Sequence, residues 1–306
     1  METMEQENNL QAPSWTPFVE RSFWGRVKAT YAFVWGNKLT LSCFAVPLVV
    51  LLFFMVENIA DNTSLTGLEK NFEELKSLSL QLLFSLVTGL IYCMVITISS
   101  LLKEHGSLKD LGLSKWCCRL GYVVLVQMVI AIILYSVISV PMMLLTLFLV
   151  FLVIGIEGLM GKIIALIVIL IPLIVLLTMF GIVVNFISMK ISIDYKETLA
   201  SKFRIKDQWN KLKGNWWNTI GFFIVCELSI YLVLAVLVAL IALLYAVGIC
   251  KGEILYIAVC VLIALYVIYH NVPMVYQFGH LSSKYEKKQA EEAALTEAPA
   301  EQEPEA

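Results

Sequence analysis

Long stretches without a charged side chain constrain this chain more than any other feature of its sequence. Residues 120–156 contain no Asp, Glu, Lys or Arg, and five further runs of 18 or more residues hold a single charged residue, Glu227. About 20 apolar residues in a helix span the hydrocarbon core of a bilayer. Hydrophobic residues make up 59% of the chain, well above the roughly 45–50% of soluble domains. The sequence therefore predicts an all-α, polytopic integral membrane protein.

The apolar runs predict six transmembrane helices arranged as three hairpins. Residues 120–156 are too many for one simple span and too few for two with a turn. We therefore expect one long helix there, kinked or tilted near Pro141. The membrane domain is predicted at 17–280, whereas residues 1–16 and the acidic tail 281–306 are predicted to be disordered. The predicted spans are 39–56, 78–102, 120–155, 163–188, 217–248 and 254–278.

Two similar segments, one near each end of the membrane domain, indicate an internal duplication. Residues 26–37 read RVKATYAFVWGN and residues 204–215 read RIKDQWNKLKGN. Both begin with Arg-x-Lys and end with Gly-Asn directly before an apolar run. Between these ends, apolar and aromatic residues recur at helical spacing, which is typical of an amphipathic helix at a membrane surface. We therefore predict repeat units at about 18–102 and 196–280, with a middle hairpin at about 103–188.

Positive charge is distributed unequally between the two predicted sides of the membrane. Eighteen of the 22 Lys and Arg residues fall in segments that face the same side as the two termini. Because Lys and Arg are enriched in cytoplasmic loops, we expect both termini to be cytoplasmic.

Polar residues within the predicted spans form a candidate functional layer. Glu227 is accompanied at similar depth by His270 and Asn271 in the last helix, and Gln127 and Tyr92 are predicted at comparable levels. A carboxylate in hydrocarbon is costly unless it is paired or hydrated, so one hypothesis makes this layer a transport site. The other hypothesis is that these side chains only hold helices together through hydrogen bonds.

Basic residues of the two amphipathic segments are the candidate contacts to lipid headgroups. Each basic residue near an anionic membrane surface contributes about 1 kcal/mol. These charges also fit a cytoplasmic partner, or a role in topology alone, but the accompanying aromatic residues favour an interfacial anchor with lipid contact. The candidates are Arg26, Lys28, Arg204, Lys206, Lys211 and Lys213.

Sequence signatures of catalysis are absent from the chain. It contains no G-x-x-x-x-G-K-[ST] loop, no H-E-x-x-H, no G-x-S-x-G and no paired C-x-x-C. With three histidines, a conventional metal site is not expected. We therefore predict no enzyme activity, no cofactor and no nucleic-acid partner. The expected partners are membrane lipids and, as a further hypothesis, another membrane protein.

A family resemblance rests on the repeated residues Arg26, Lys28, Gly36 and Asn37 with their counterparts. Together with six predicted spans and a long basic connector, they resemble poorly characterised bacterial inner-membrane proteins. These proteins are related to the membrane domain attached to some glycerophosphoryl diester phosphodiesterases. The resemblance covers most of 18–280 and implies a bacterial inner-membrane location. Because the chain has no phosphodiesterase domain, that activity does not carry over.

These observations lead to two main hypotheses about function. The first is a non-enzymatic membrane scaffold or accessory component that contacts lipids through its amphipathic basic helices. The alternative is a small transporter or channel whose path runs past Glu227 and His270. An intramembrane enzyme is a third hypothesis, with no sequence signature in its favour.

Overall fold

A computed structural model describes residues 16–61, 68–155, 158–194, 205–249 and 252–297. Every regular element in these ranges is an α-helix, which confirms the predicted all-α class. Six of the helices, α2 to α5 with α7 and α8, are long and apolar enough to cross a membrane. The helices are α1 (Phe23–Gly36), α2 (Lys38–Asp61), α3 (Leu68–His105), α4 (Leu113–Gly155), α5 (Leu159–Ile193), α6 (Ile205–Leu212), α7 (Trp216–Ala246) and α8 (Glu253–Glu297).

The long uncharged run beginning at residue 120 forms a single helix, as its length predicts. Helix α4 continues without interruption through Pro141 to Gly155. Water is absent from the hydrocarbon core and cannot hydrogen-bond to the backbone there. An unbroken helix provides hydrogen-bond partners for the backbone N–H and C=O groups.

The chain divides into two compact units, Met1–Gly112 together with Lys211–Ala306, and Leu113–Asn210. In the first unit, α8 is the central helix, because α1, α2, α3 and α7 all pack against it. Its buried side chains recur three or four residues apart, as expected for one face of a helix. They include Ala264, Val267, Ile268, Val272, Val275 and Tyr276.

The second unit consists mainly of the hairpin formed by α4 and α5, which pack against each other. Val123 and Val126 of α4 are buried, as are Ile182, Phe186 and Met189 of α5. The spacing of these residues again places each set on one face of its helix.

The two Gly-Asn junctions have closely similar backbone geometry. Asn37 has φ −114° and ψ 20°, and Asn215 has φ −116° and ψ 7°. Each Asn side-chain Nδ2 donates to the carbonyl four residues earlier, at 2.8 Å for Asn37 and 3.3 Å for Asn215. Each Asn carbonyl in turn accepts the backbone N–H four residues later. Asparagine therefore closes the preceding helix and begins the next one. The following helices start at Lys38 and Trp216, directly after each Asn.

The duplicated segments differ in the helices that precede these junctions. Helix α1 is 14 residues long and α6 is eight. Gly36 is the last helical residue of α1, whereas Gly214 adopts φ +80°, a left-handed conformation that favours glycine. The two segments therefore share the geometry of the Asn residue and of the start of the following helix, and they differ in the residues that lead to each Asn.

Helix α1 packs against protein along one face. It begins at Phe23 and buries Arg26, Val27, Phe33 and Val34 among its packed residues. Its main partner is α8, with further contacts to α7. The opposite face of α1 is exposed. Helix α1 therefore packs on other helices along one face and leaves only the other face available to lipid.

The prediction of a disordered tail from residue 281 is wrong for its first part. Helix α8 continues to Glu297, and Leu281 and Ser282 are buried. Helix-favouring Ala, Glu and Lys residues occupy this stretch, and Lys288 pairs with Glu292 one turn later at 3.5 Å. Predicted disorder at residues 1–15 and 298–306 lies outside the described residues.

The described chain begins with a short segment that packs on α8. Phe18 meets Phe278 edge to face, with 6.5 Å between ring centroids, and Lys103 of α3 lies over the Phe18 ring. The backbone N–H of Arg21 donates to Nδ1 of His280 at 3.3 Å. A β-carbon added at Gly279 would lie 2.5 Å from the Pro17 carbonyl oxygen, so glycine is what permits this close approach.

Replacing Gly279 with Ala is expected to destabilise the first unit. The added methyl group meets backbone and not a flexible side chain, and such overpacking costs about 1–3 kcal/mol. The measurement is the midpoint of thermal unfolding in detergent. Gly221→Ala in α7 is the matched control, because nothing lies within 4 Å of its added β-carbon. Equal midpoints for the two variants would contradict the packing described here.

Candidate functional site

Glu227 of α7 and His270 of α8 form a direct pair between neighbouring helices. The distance from His270 Nδ1 to Glu227 Oε1 is 2.5 Å. The two helices pack together as a hairpin, which brings these positions to the same level. The sequence predicted that these residues lie at similar depth in neighbouring helices, and in the structure their side chains are in contact.

Two tyrosines extend this pair into a column of rings. The Tyr266 ring stacks on His270 at 5.5 Å and on Tyr231 at 5.7 Å, measured between centroids. The Tyr266 hydroxyl lies 3.5 Å from Glu227 Oε2 and 3.4 Å from the Tyr231 hydroxyl. Sequence reasoning missed both tyrosines. Each lies four residues from a member of the pair along the same helix, and that spacing on one helix face is the signal that identifies them.

The pair lies deep along the helix but on its outer surface. Glu227 is eleven residues beyond Trp216, the first residue of α7, which corresponds to about 16 Å at 1.5 Å per residue. That depth is about half the thickness of the hydrocarbon core. The His270 side chain is nevertheless 53% exposed and that of Glu227 28% exposed. The site therefore faces outwards from the described helices.

The other predicted members of the polar layer have different surroundings. Asn271 donates to the carbonyl of Val267 within α8, at 2.6 Å. Tyr92 is partly buried in α3. Gln127 belongs to the second unit, where it contacts Ser192 at 3.1 Å. The structure therefore brings together Glu227 and His270 and gives Asn271 a local bond.

Gln127 joins the two helices of the second unit. Its Nε2 donates to Ser192 Oγ, and its Oε1 accepts from Ser188 Oγ at 2.5 Å. Nearby, the Tyr122 hydroxyl donates to the Ile191 carbonyl at 3.1 Å. These bonds connect α4 with α5 as interhelical polar contacts do in membranes.

Arg26, predicted to contact lipid headgroups, is instead buried between α1 and α7. It is 2% exposed, and Nη2 donates to Asn218 Oδ1 at 2.7 Å. The guanidinium lies over the rings of Phe222 and Phe23, at 5.1 and 5.8 Å, in cation–π contact. Burial lowers the pKa of this guanidinium from its ordinary value. Arg26 therefore attaches α1 to α7, and its prediction as a headgroup ligand is wrong.

Lys211 departs from prediction in the same way. It is buried, donates from Nζ to Ser282 Oγ at 3.1 Å, and lies over the Phe278 ring at 5.2 Å. These contacts connect the end of α6 to α8. They also bury the Lys211 ammonium group, so it cannot contact lipid headgroups. Of the remaining candidates, Lys28, Lys206 and Lys213 are exposed, and Arg204 lies outside the described residues.

Exposed tryptophans accompany these lysines. Trp24 and Trp35 share the exposed face of α1 with Lys28, because the three positions are four and seven residues apart. Lys38 lies 4.6 Å from the centroid of the Trp35 ring. Trp217, the second residue of α7, is 86% exposed and precedes Asn218, the residue that bonds to Arg26. That bond fixes the start of α7 at the level of α1.

Neither a metal site among the described residues nor a comparison with known proteins adds a functional assignment. Among the described residues, no three His, Cys, Asp or Glu side chains come together as metal ligands would. The fold and its apolar helices define a polytopic helical membrane protein. No protein-family model, curated protein or solved structure matches the chain. The functional argument therefore depends on the geometry of the chain itself.

Replacing Arg26 with Ala is expected to loosen α1 from the helix bundle. The substitution removes a charge-assisted hydrogen bond and two ring contacts, a loss of about 2–3 kcal/mol. The measurement is thermal unfolding in an uncharged detergent. Lys28→Ala, two residues away on the exposed face, is the control and should unfold at the wild-type temperature. An Arg26 variant as stable as that control would rule out an attachment role.

Proposed function

We propose that the protein is a non-enzymatic scaffold or accessory component that contacts lipid headgroups around α1 and the start of α7. The observation that supports this is the exposed face of α1, where Trp24 and Trp35 flank Lys28. Tryptophan prefers the membrane–water interface, because its ring is apolar while its N–H bonds to water or headgroups. Lysine beside it supplies the charge that attracts anionic lipid.

The buried cations give this surface a fixed shape. Arg26 holds α1 on α7 through Asn218, and Tyr31 adds a hydroxyl contact to Ser229 at 2.6 Å. The exposed tryptophans are therefore presented by a helix that is already packed. A preformed surface binds with less loss of conformational entropy than a segment that folds on the membrane.

We further propose that this surface faces the cytoplasm of a bacterial inner membrane, with both termini on that side. The support is the excess of Lys and Arg, 18 of 22, in the segments assigned to that face. The same charges match the negative surface potential of a cytoplasmic leaflet.

The test measures lipid enrichment around the full-length chain by native mass spectrometry, after reconstitution with phosphatidylglycerol and phosphatidylcholine. Lys28 and Lys213, both exposed, are replaced by Gln. Loss of about 1 kcal/mol per Lys should reduce phosphatidylglycerol enrichment about fivefold for each Lys and about 30-fold for both. Lys287→Gln, on the exposed end of α8, is the control and should retain the enrichment. A wild-type chain that binds both lipids equally would contradict the proposal.

The alternative function is a small transporter or channel, and one observation favours it. Glu227 and His270 form a carboxylate–imidazole pair at a depth where ionisable residues mark proton or ion paths more often than other polar residues do. In this alternative, the pair exchanges protons as the transported species passes.

The test is pH-driven proton flux into vesicles that contain the purified chain and a pH-sensitive dye. Glu227→Gln should abolish the flux, because the amide cannot titrate. Glu253→Gln at the exposed start of α8 is the matched control and should leave the flux unchanged. Absence of flux from wild-type vesicles, or equal flux from both variants, would exclude this alternative.

A further inference from the structure

The exposed pair of Glu227 and His270 has hydrogen-bonding capacity that the described part of the chain does not use. Nε2 of His270 has no hydrogen-bond partner there, and Glu227 Oε2 has the Tyr266 hydroxyl at 3.5 Å, the outer limit of a hydrogen bond. Polar groups left unsatisfied in hydrocarbon cost free energy. We therefore expect a hydrogen-bonding group within the membrane to contact these two atoms.

The protonation state of the pair determines which group can cover it. A low dielectric favours a pair without net charge. Neutrality requires two protons, one shared between His270 Nδ1 and Glu227 Oε1 and the other on Nε2. The exposed surface then presents one donor, Nε2–H, and one strong acceptor, Oε2.

A surface with one donor and one acceptor side by side is complementary to itself. Related by a two-fold axis, Nε2–H of one copy reaches the carboxylate of the other, and the reverse bond forms at the same time. A neighbour with only donors or only acceptors satisfies half of the site. Exposed aliphatic residues on the same face of α7 supply contact area around it, namely Ile224 and Val238.

We propose that the chain forms a two-fold homodimer through this face of α7 and α8, in which His270 of each copy donates to Glu227 of the other. The site is then complete only in the dimer, which buries four polar side chains in the middle of the membrane. The inference is independent of the lipid contacts proposed for α1, because those lie near the start of α7, whereas this pair lies about 16 Å deeper.

The experiment is single-molecule photobleaching of the fluorescently labelled full-length chain in liposomes, over a range of protein-to-lipid ratios. The wild type should show two-step bleaching in excess of random co-capture. Glu227→Leu removes the acceptor from the site and His270→Leu removes the donor. Each variant alone should therefore dimerise about tenfold more weakly, since two interhelical hydrogen bonds of about 0.6–1 kcal/mol are lost.

Mixing the two variants provides the decisive measurement. A Glu227→Leu chain beside a His270→Leu chain restores one of the two imidazole–carboxylate contacts across the interface, so two-colour heterodimers should exceed either homodimer. His105→Gln, an exposed histidine at the end of α3, is the control and should dimerise as the wild type does. A wild type that stays monomeric, whether lipid or another protein covers the pair, overturns the proposal. So does a mixture that associates no better than the separate variants.

Discussion

The absence of water from the hydrocarbon core is the constraint on which this structure depends. It requires each backbone N–H and C=O to bond within its own segment, and a continuous helix achieves this. That is why α4 passes through Pro141 without ending. The same constraint limits how helices attach to one another, because lipid is as apolar as leucine and gives little hydrophobic drive for association. Shape, aromatic contacts and a few polar bonds must supply the attachment.

Those polar bonds lie at two levels in the first unit. Near the ends of the spans, Arg26 and Lys211 are buried cations held by a side-chain oxygen and by ring faces. Aromatic rings therefore carry part of the compensation for the hydration that these cations lose. Deeper in the membrane, Glu227 and His270 contact each other directly at 2.5 Å. Ionisable side chains are therefore accommodated near the interface by ring faces and at mid-depth by a direct pair.

Different sequence patterns carry different structural information, and this difference explains which features could be predicted. Apolar runs record the environment of a whole helix, so the all-α class and six spans were predictable from length and charge alone. A basic residue in an amphipathic segment does not indicate which group it will contact, which is why Arg26 and Lys211 were misassigned to lipid. Which face of α1 is covered depends on α7 and α8, and these helices lie at the far end of the chain. The meeting of Glu227 and His270 was predictable because a short turn fixes the hairpin register.

The predicted duplication makes the position of the Glu227–His270 pair informative. In the alignment that matches the two Gly-Asn junctions, Val49 and Tyr92 take these places in the first hairpin, so the repeated frame does not require the pair. Packing within the last hairpin does not require it either, since Phe222, Cys226 and Ile230 of α7 already form a buried apolar seam. A carboxylate kept beside that seam, at mid-membrane depth and facing outwards, adds cost without adding to the core. The proposed dimer supplies a physical reason for this carboxylate, because a second copy covers this face of α7 and α8 within the bilayer.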